Sequence, residues 1–104
     1  MNQVFKRPQF LLDLAEELTG LADKAGPDVA EKWYQSLKAT IRMLAQHPLI
    51  GRERKDLSPP GIRSWRVSGF PRWLLFYTVD QHHNLVLYRL RQGTMNLVVL
   101  KMES

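Results

Sequence analysis

The residues able to do chemistry are concentrated in the second half of the chain, and nearly all of them are cations: Arg52, Arg54, Lys55, Arg63, Arg66, Arg72, Arg89 and Arg91, interleaved with Trp65, Trp73, Tyr77 and Tyr88. Guanidinium groups bind phosphate and carboxylate bidentately, stack on bases, and stabilise the charge of a phosphoryl transition state in a nuclease. The same set suits an acidic protein surface equally well. The alternation of the aromatics puts most of them where helices must pack, so they are read as core. Other chemistries find little support. His47 stands alone before a proline, and His82 and His83 are turn residues whose side chains diverge, so no metal site is indicated. Cys is absent, which excludes disulfides and thiolate ligands and is compatible with a reducing cytoplasm. No glycine-rich phosphate loop follows a strand, no Ser/His/Asp order stands out, and paired carboxylates are missing from this half. No cofactor is expected.

The formal net charge is +5 over 104 residues, and its distribution carries the information. Up to Gln46, six basic residues cancel six acidic ones; beyond it, nine basic residues face only Glu53, Asp56, Asp80 and Glu103. The whole excess therefore sits in the second half, which favours an acidic or polyanionic partner. The length suits a single domain spanning 1–104. No apolar run approaches the roughly 18 residues that span a membrane, and Met1 to Lys6 lacks the apolar segment of a signal peptide, so a cytoplasmic protein with no membrane partner is expected.

Positioning these cations requires a scaffold, and the order of signals supplies one. Val4-Phe5-Lys6-Arg7 is a short strand, and Pro8 opens a helix to Ala25. Leu11, Leu14, Ala15, Leu18, Ala22 and Ala25 form its expected buried face, with Asp13, Glu16, Glu17 and Asp23 elsewhere and a weak point at Gly20. Gly26-Pro27 ends this helix and starts a second, whose stripe is Val29, Trp33, Leu37, Ile41 and Leu44; Trp33 is a core anchor. Pro48 stops it. Residues 47–61 form a long basic loop, and long loops in compact domains are more often functional than filler. Residues 62–68 alternate as a strand with Arg66 pointing outward. Gly69-Phe70-Pro71-Arg72 turns the chain into Trp73-Leu74-Leu75-Phe76-Tyr77-Thr78-Val79, apolar on both faces and hence central. Residues 85–91 place Val86, Tyr88 and Leu90 on one face and Leu87, Arg89 and Arg91 on the other. The tail, 94–102, reads as a last strand or a short helix.

Four pieces in register with these elements carry a resemblance: His47-Pro48-Leu49-Ile50-Gly51-Arg52-Glu53-Arg54, then Gly61-Ile62-Arg63-Ser64-Trp65-Arg66-Val67, then Leu74-Leu75-Phe76-Tyr77 with Val79, and Leu87-Tyr88-Arg89-Leu90 before Gly93. Together they resemble the RelE/ParE superfamily of type II toxins. The resemblance implies an α+β fold: an N-terminal strand, a helical hairpin, then a mainly antiparallel sheet of three further strands. Of its two branches, RelE-like members are ribosome-dependent mRNA endoribonucleases, and this chain offers Arg52, Arg54, Lys55, Arg63 and Arg89 as their basic set. It has neither Tyr nor His after Tyr88, however, and arginines alone have no group titrating near neutrality for acid–base work. ParE-like members, closer in the basic loop, poison DNA gyrase and perform no chemistry. The ParE-like reading is therefore the expectation, with the nuclease as runner-up and a detoxified nucleic-acid-binding domain as a third class. Charge and expected exposure make Arg52, Arg54, Lys55, Arg63 and Arg66 the candidate target contacts, with Thr94, Met95, Leu97 and Val99 of the tail as candidate antitoxin contacts, met by an acidic, partly disordered antitoxin segment that folds as it binds.

Overall fold

The structure is a computed structural model and describes residues 3–93. The elements run β1 (Val4–Lys6), α1 (Pro8–Ala25), α2 (Pro27–Gln46), β2 (Arg52–Glu53), β3 (Arg63–Val67), β4 (Phe70–Val79) and β5 (Leu85–Gln92). The class is α+β as expected, with a two-residue strand, β2, added inside the long basic loop. The sheet order is β1-β5-β4-β3-β2; β1 lies parallel to β5 and every other pairing is antiparallel. The tail expectations at 94–102 lie outside the described residues.

Proline and glycine punctuation sets the helices. Arg7 is extended, and the fixed φ of Pro8 begins α1 without wasting an N–H. Gly26 sits at φ 95°, a region open mainly to glycine, and donates its N–H to Ala22 O at 3.0 Å. Its carbonyl accepts Ala30 N–H at 3.2 Å, so one residue closes α1 and opens α2. The helix runs unbroken through Gly20.

The core lies on both faces of the sheet. On the helical side Phe10, Trp33, Leu37 and Leu44 pack on Val67, Leu75, Tyr77, Leu85, Leu87 and Leu90. A smaller cluster joins Leu57 and Ile62 of the loop to Leu74, Phe76 and Tyr88. Alternate residues of β4 thus feed two different clusters, which is why that strand is apolar throughout and central. Trp33 meets Trp73 edge to face at 5.8 Å, and Trp73 Nε1 donates to Glu17 Oε1 at 2.9 Å.

Three expectations are corrected. The inner face of α1 keeps Leu14 and Leu18 of the expected stripe but not Leu11, Ala15 or Ala25: Leu11 is 47% exposed and Leu12 59%, the buried residues are Phe10 and Asp13, and Leu14, Leu18 and Leu21 are half-buried. The cause is Asp13. Among the described residues β1 pairs with β5 only through Leu87, and no described strand flanks the outer edge of β5 beyond it. Asp13 fills that place by accepting Leu90 N–H at 3.0 Å, and it takes Arg89 Nε at 2.7 Å and Nη2 at 3.2 Å, with Arg91 Nη1 at 3.6 Å. A carboxylate satisfied this way outweighs one turn of leucine in fixing the rotation of the helix. The faces of β5 also differ: Leu87 and Leu90 share the helical side while Val86 and Tyr88 lie with the second cluster. A bulge, where Phe76 pairs with Arg89 but Tyr77 with Leu87, inserts one residue and resets the alternation. Finally, the turn before β4 is tighter than expected. Ser68-Gly69 makes it alone, with Gly69 at φ 79° and Phe70 already paired with Val67.

Replacing Asp13 with Ala should leave a cationic cluster without its buried carboxylate and cost about 3–5 kcal/mol, read as a large fall in the urea midpoint. A comparable loss from Leu11→Ala would contradict this account.

Candidate basic surface

Arginines brought close in sequence do different work in space. β2 ends in Arg52 and Glu53, both exposed, and pairs with only Ser64 and Arg63 of β3. The rest of β3 faces an open groove of about 880 Å³ whose lining includes Ile50, Arg52, Arg54, Trp65, Arg66 and Leu74. Three of the expected cations, Arg52, Arg54 and Arg66, converge there. Arg66 points outward as expected, its Nη1 bonded to Pro71 O at 2.6 Å. Arg54 lies 5.9 Å over the Phe76 ring and grips Asp56 with two bonds, Nε to Oδ1 at 3.0 Å and Nη2 to Oδ2 at 2.7 Å. The Arg54 hydrogen bond holds the Asp56 carboxyl below the ordinary carboxylate value.

Lys55 is exposed outside the groove. Arg63 is a brace: its Nη1 donates to Gly51 O at 2.8 Å and Leu49 O at 3.2 Å. Arg89, offered for nuclease chemistry, is joined to buried Asp13. Among the described residues that line the groove there is no histidine, tyrosine, lysine or carboxylate. Among the described residues no group of three possible ligands could hold a metal ion, and no helix is long and apolar enough to cross a membrane. Thr94, Met95, Leu97 and Val99, expected to contact an antitoxin, lie outside the described residues.

Sequence reasoning missed Tyr77. Its ring is fully buried, and its hydroxyl accepts Gly51 N–H at 2.9 Å and donates to Pro48 O at 2.8 Å. A Cβ on residue 51 would overlap that hydroxyl, which explains the glycine. The signal was present: a tyrosine on a doubly buried strand must find a partner for its hydroxyl. In the β4–β5 turn the organising residue is Asp80, which accepts His82 N–H at 2.8 Å and Asn84 N–H at 2.9 Å, while His82 and His83 stay exposed.

Comparison with known proteins gives this architecture its class. A solved structure described as a chromosomal ParDE TA system from P. aeruginosa shares the fold, with a TM-score of 0.72 over 88% of this chain and 96% of that one at 18% identity. Toxin ParE3 of Caulobacter vibrioides is 27% identical over 97 residues, covering 93% of this chain and 92% of the relative. The family described as ParE toxin of type II toxin-antitoxin system, parDE, matches residues 4–97. The chain belongs to the ParE toxin family and is a ParE-type toxin of a ParDE toxin–antitoxin system.

Burial raises the Tyr77 hydroxyl above its ordinary value near 10, with Gly51 N–H and Arg63 opposing. A raised folded value contributes stability that is fully present below pH 10 and is lost as pH rises through the folded value. Tyr77→Phe should leave Gly51 N–H and Pro48 O unpaired, cost about 1–3 kcal/mol near neutrality, and flatten the alkaline limb of a stability-versus-pH curve. An unchanged limb would sink the assignment.

Proposed function

We propose that this toxin acts by binding DNA gyrase, trapping it on cleaved DNA and blocking replication, and that a cognate antitoxin neutralises it in the cytoplasm. The observation that carries the reading is the chemical poverty of the groove. Among its described lining residues the ionisable groups are the arginines Arg52, Arg54 and Arg66, and guanidinium groups suit binding better than general acid–base work. The hydroxyls among the described lining residues belong to Ser64 and Ser68, and that of Tyr77, beneath the loop, is engaged at both its donor and its acceptor positions. Such a surface binds; it does not catalyse RNA cleavage.

Arg52, Arg54, Lys55, Arg63 and Arg66 are the proposed target-contact set. Within it Arg52, Lys55 and Arg66 are solvent-facing, whereas Arg54 and Arg63 hold the loop in shape. For the antitoxin, Phe5 on β1 and Leu11 and Leu12 on α1 offer exposed apolar surface. An acidic segment folding over this surface and contacting Thr94, Met95, Leu97 and Val99 would bury it.

Purified toxin should inhibit gyrase supercoiling and accumulate cleaved DNA, while mRNA on translating ribosomes stays intact. Cleaved mRNA with untouched supercoiling would give the nuclease reading instead. The Arg52→Ala, Arg66→Ala double variant should need roughly tenfold more protein for half-inhibition, about 1.4 kcal/mol, and the difference should shrink as salt rises.

A further inference from the structure

The stretch 47–51 presents two large apolar side chains to water. Leu49 is 58% exposed and Ile50 48%, adjacent in sequence at the tip of the loop between α2 and β2. A single exposed leucine needs no explanation. This pair differs because the backbone beneath it is pinned. Ile50 N–H closes a turn on His47 O at 3.1 Å, and Tyr77 and Arg63 together hold Pro48 O, Leu49 O, Gly51 O and Gly51 N–H. Four of the five carbonyls in the stretch thus have donors, and the two donating side chains belong to β4 and β3. A loop so held cannot fold its apolar tip back onto the sheet.

Pre-organised apolar side chains at a protein surface are the ordinary anatomy of a binding anchor, because their ordering cost is met before the partner arrives. The surroundings define that partner. Ile50 also lines the groove that holds Arg52, Arg54 and Arg66, and a small cleft beside the tip is lined by His47 and His83. Among the described residues no carboxylate lines either one. Asp56 is already engaged by Arg54, and Glu53 lies exposed on the edge strand.

From this geometry we infer that Leu49 and Ile50 are the anchor that the toxin's target protein buries, in an apolar pocket rimmed by acidic side chains, with Arg52 and Arg66 steering the approach. A second copy of this chain is a poor occupant because it would bring one arginine groove against another. The antitoxin has separate apolar surface available at Phe5, Leu11 and Leu12. The inference rests on the reading that the toxin works by binding a protein target.

The full-length Leu49→Ala, Ile50→Ala double variant tests it. Both side chains are exposed, so its thermal midpoint should stay within a few degrees of the parent. Its half-inhibitory concentration against gyrase should rise about tenfold or more, growth arrest on expression should be lost, and binding to the antitoxin should remain. A folded double variant that inhibits and arrests as the parent does would overturn the anchor. So would one that keeps arrest but escapes the antitoxin, since the tip would then be the antitoxin's. If the parent arrests growth while supercoiling is untouched, the gyrase reading fails on its own, and the loss or retention of arrest in the double variant still decides the anchor.

Discussion

A single buried carboxylate governs how the two layers of this protein meet. Removing Asp13 from water is costly unless every lone pair is engaged. Here the cost is offset by the main-chain N–H of Leu90 and by guanidinium groups from Arg89 and Arg91, with Gln9 Nε2 at 3.4 Å. The arrangement fixes three things at once: the rotation of α1, the covering of the β5 edge where β1 ends, and the placement of two arginines. If α1 turned Leu11 inward, the edge amide and the guanidinium groups would lose this acceptor. The helical hairpin is therefore seated by polar satisfaction as much as by its apolar stripe, and the core under Trp33 and Leu37 forms around that seating.

The same logic separates the arginines. As a residue type each was an equivalent candidate for contacting phosphate or an acidic protein. In three dimensions Arg89 supports the junction of sheet and helix, Arg63 supports the loop, and Arg54 is paired with Asp56, which leaves Arg52 and Arg66 as the groove's outward charges. The described lining sets these arginines beside Ile50, Trp65 and Leu74, so cationic and apolar surface are presented together.

Much of the fold was legible in the chain because punctuation by Pro8, Gly26, Pro27 and Pro48 is a local effect, decided by φ and the missing amide hydrogen. The central position of β4 was legible from its unbroken apolar run, and the family from four short pieces in register. The larger misses share a cause: they depend on a partner on another element. Asp13 looked like a solvent-facing charge because its partners lie 76 and 77 residues away. The β5 bulge depends on pairing with β4, which alternation within one strand cannot register. β2 is two residues long, too short for any period. At the site, the cations were visible as a cluster, but which of them brace the loop and which face solvent is set by carbonyls at Leu49 and Gly51 that carry no sequence signature.

The parallel pairing of β1 with β5 has a consequence for how the toxin is made. Val4 meets Leu85, so the first described strand waits for the last described one before it has a neighbour. Asp13 likewise waits for Arg89 and Leu90, and the 47–51 loop waits for Tyr77. During synthesis from the N-terminus the helical hairpin emerges first, while contacts of such long sequence separation form late and slowly. Neither the seated helices nor the pinned tip can exist on a half-made chain. A ribosome translating this toxin therefore carries the two helices without their sheet partners until β5 is extruded.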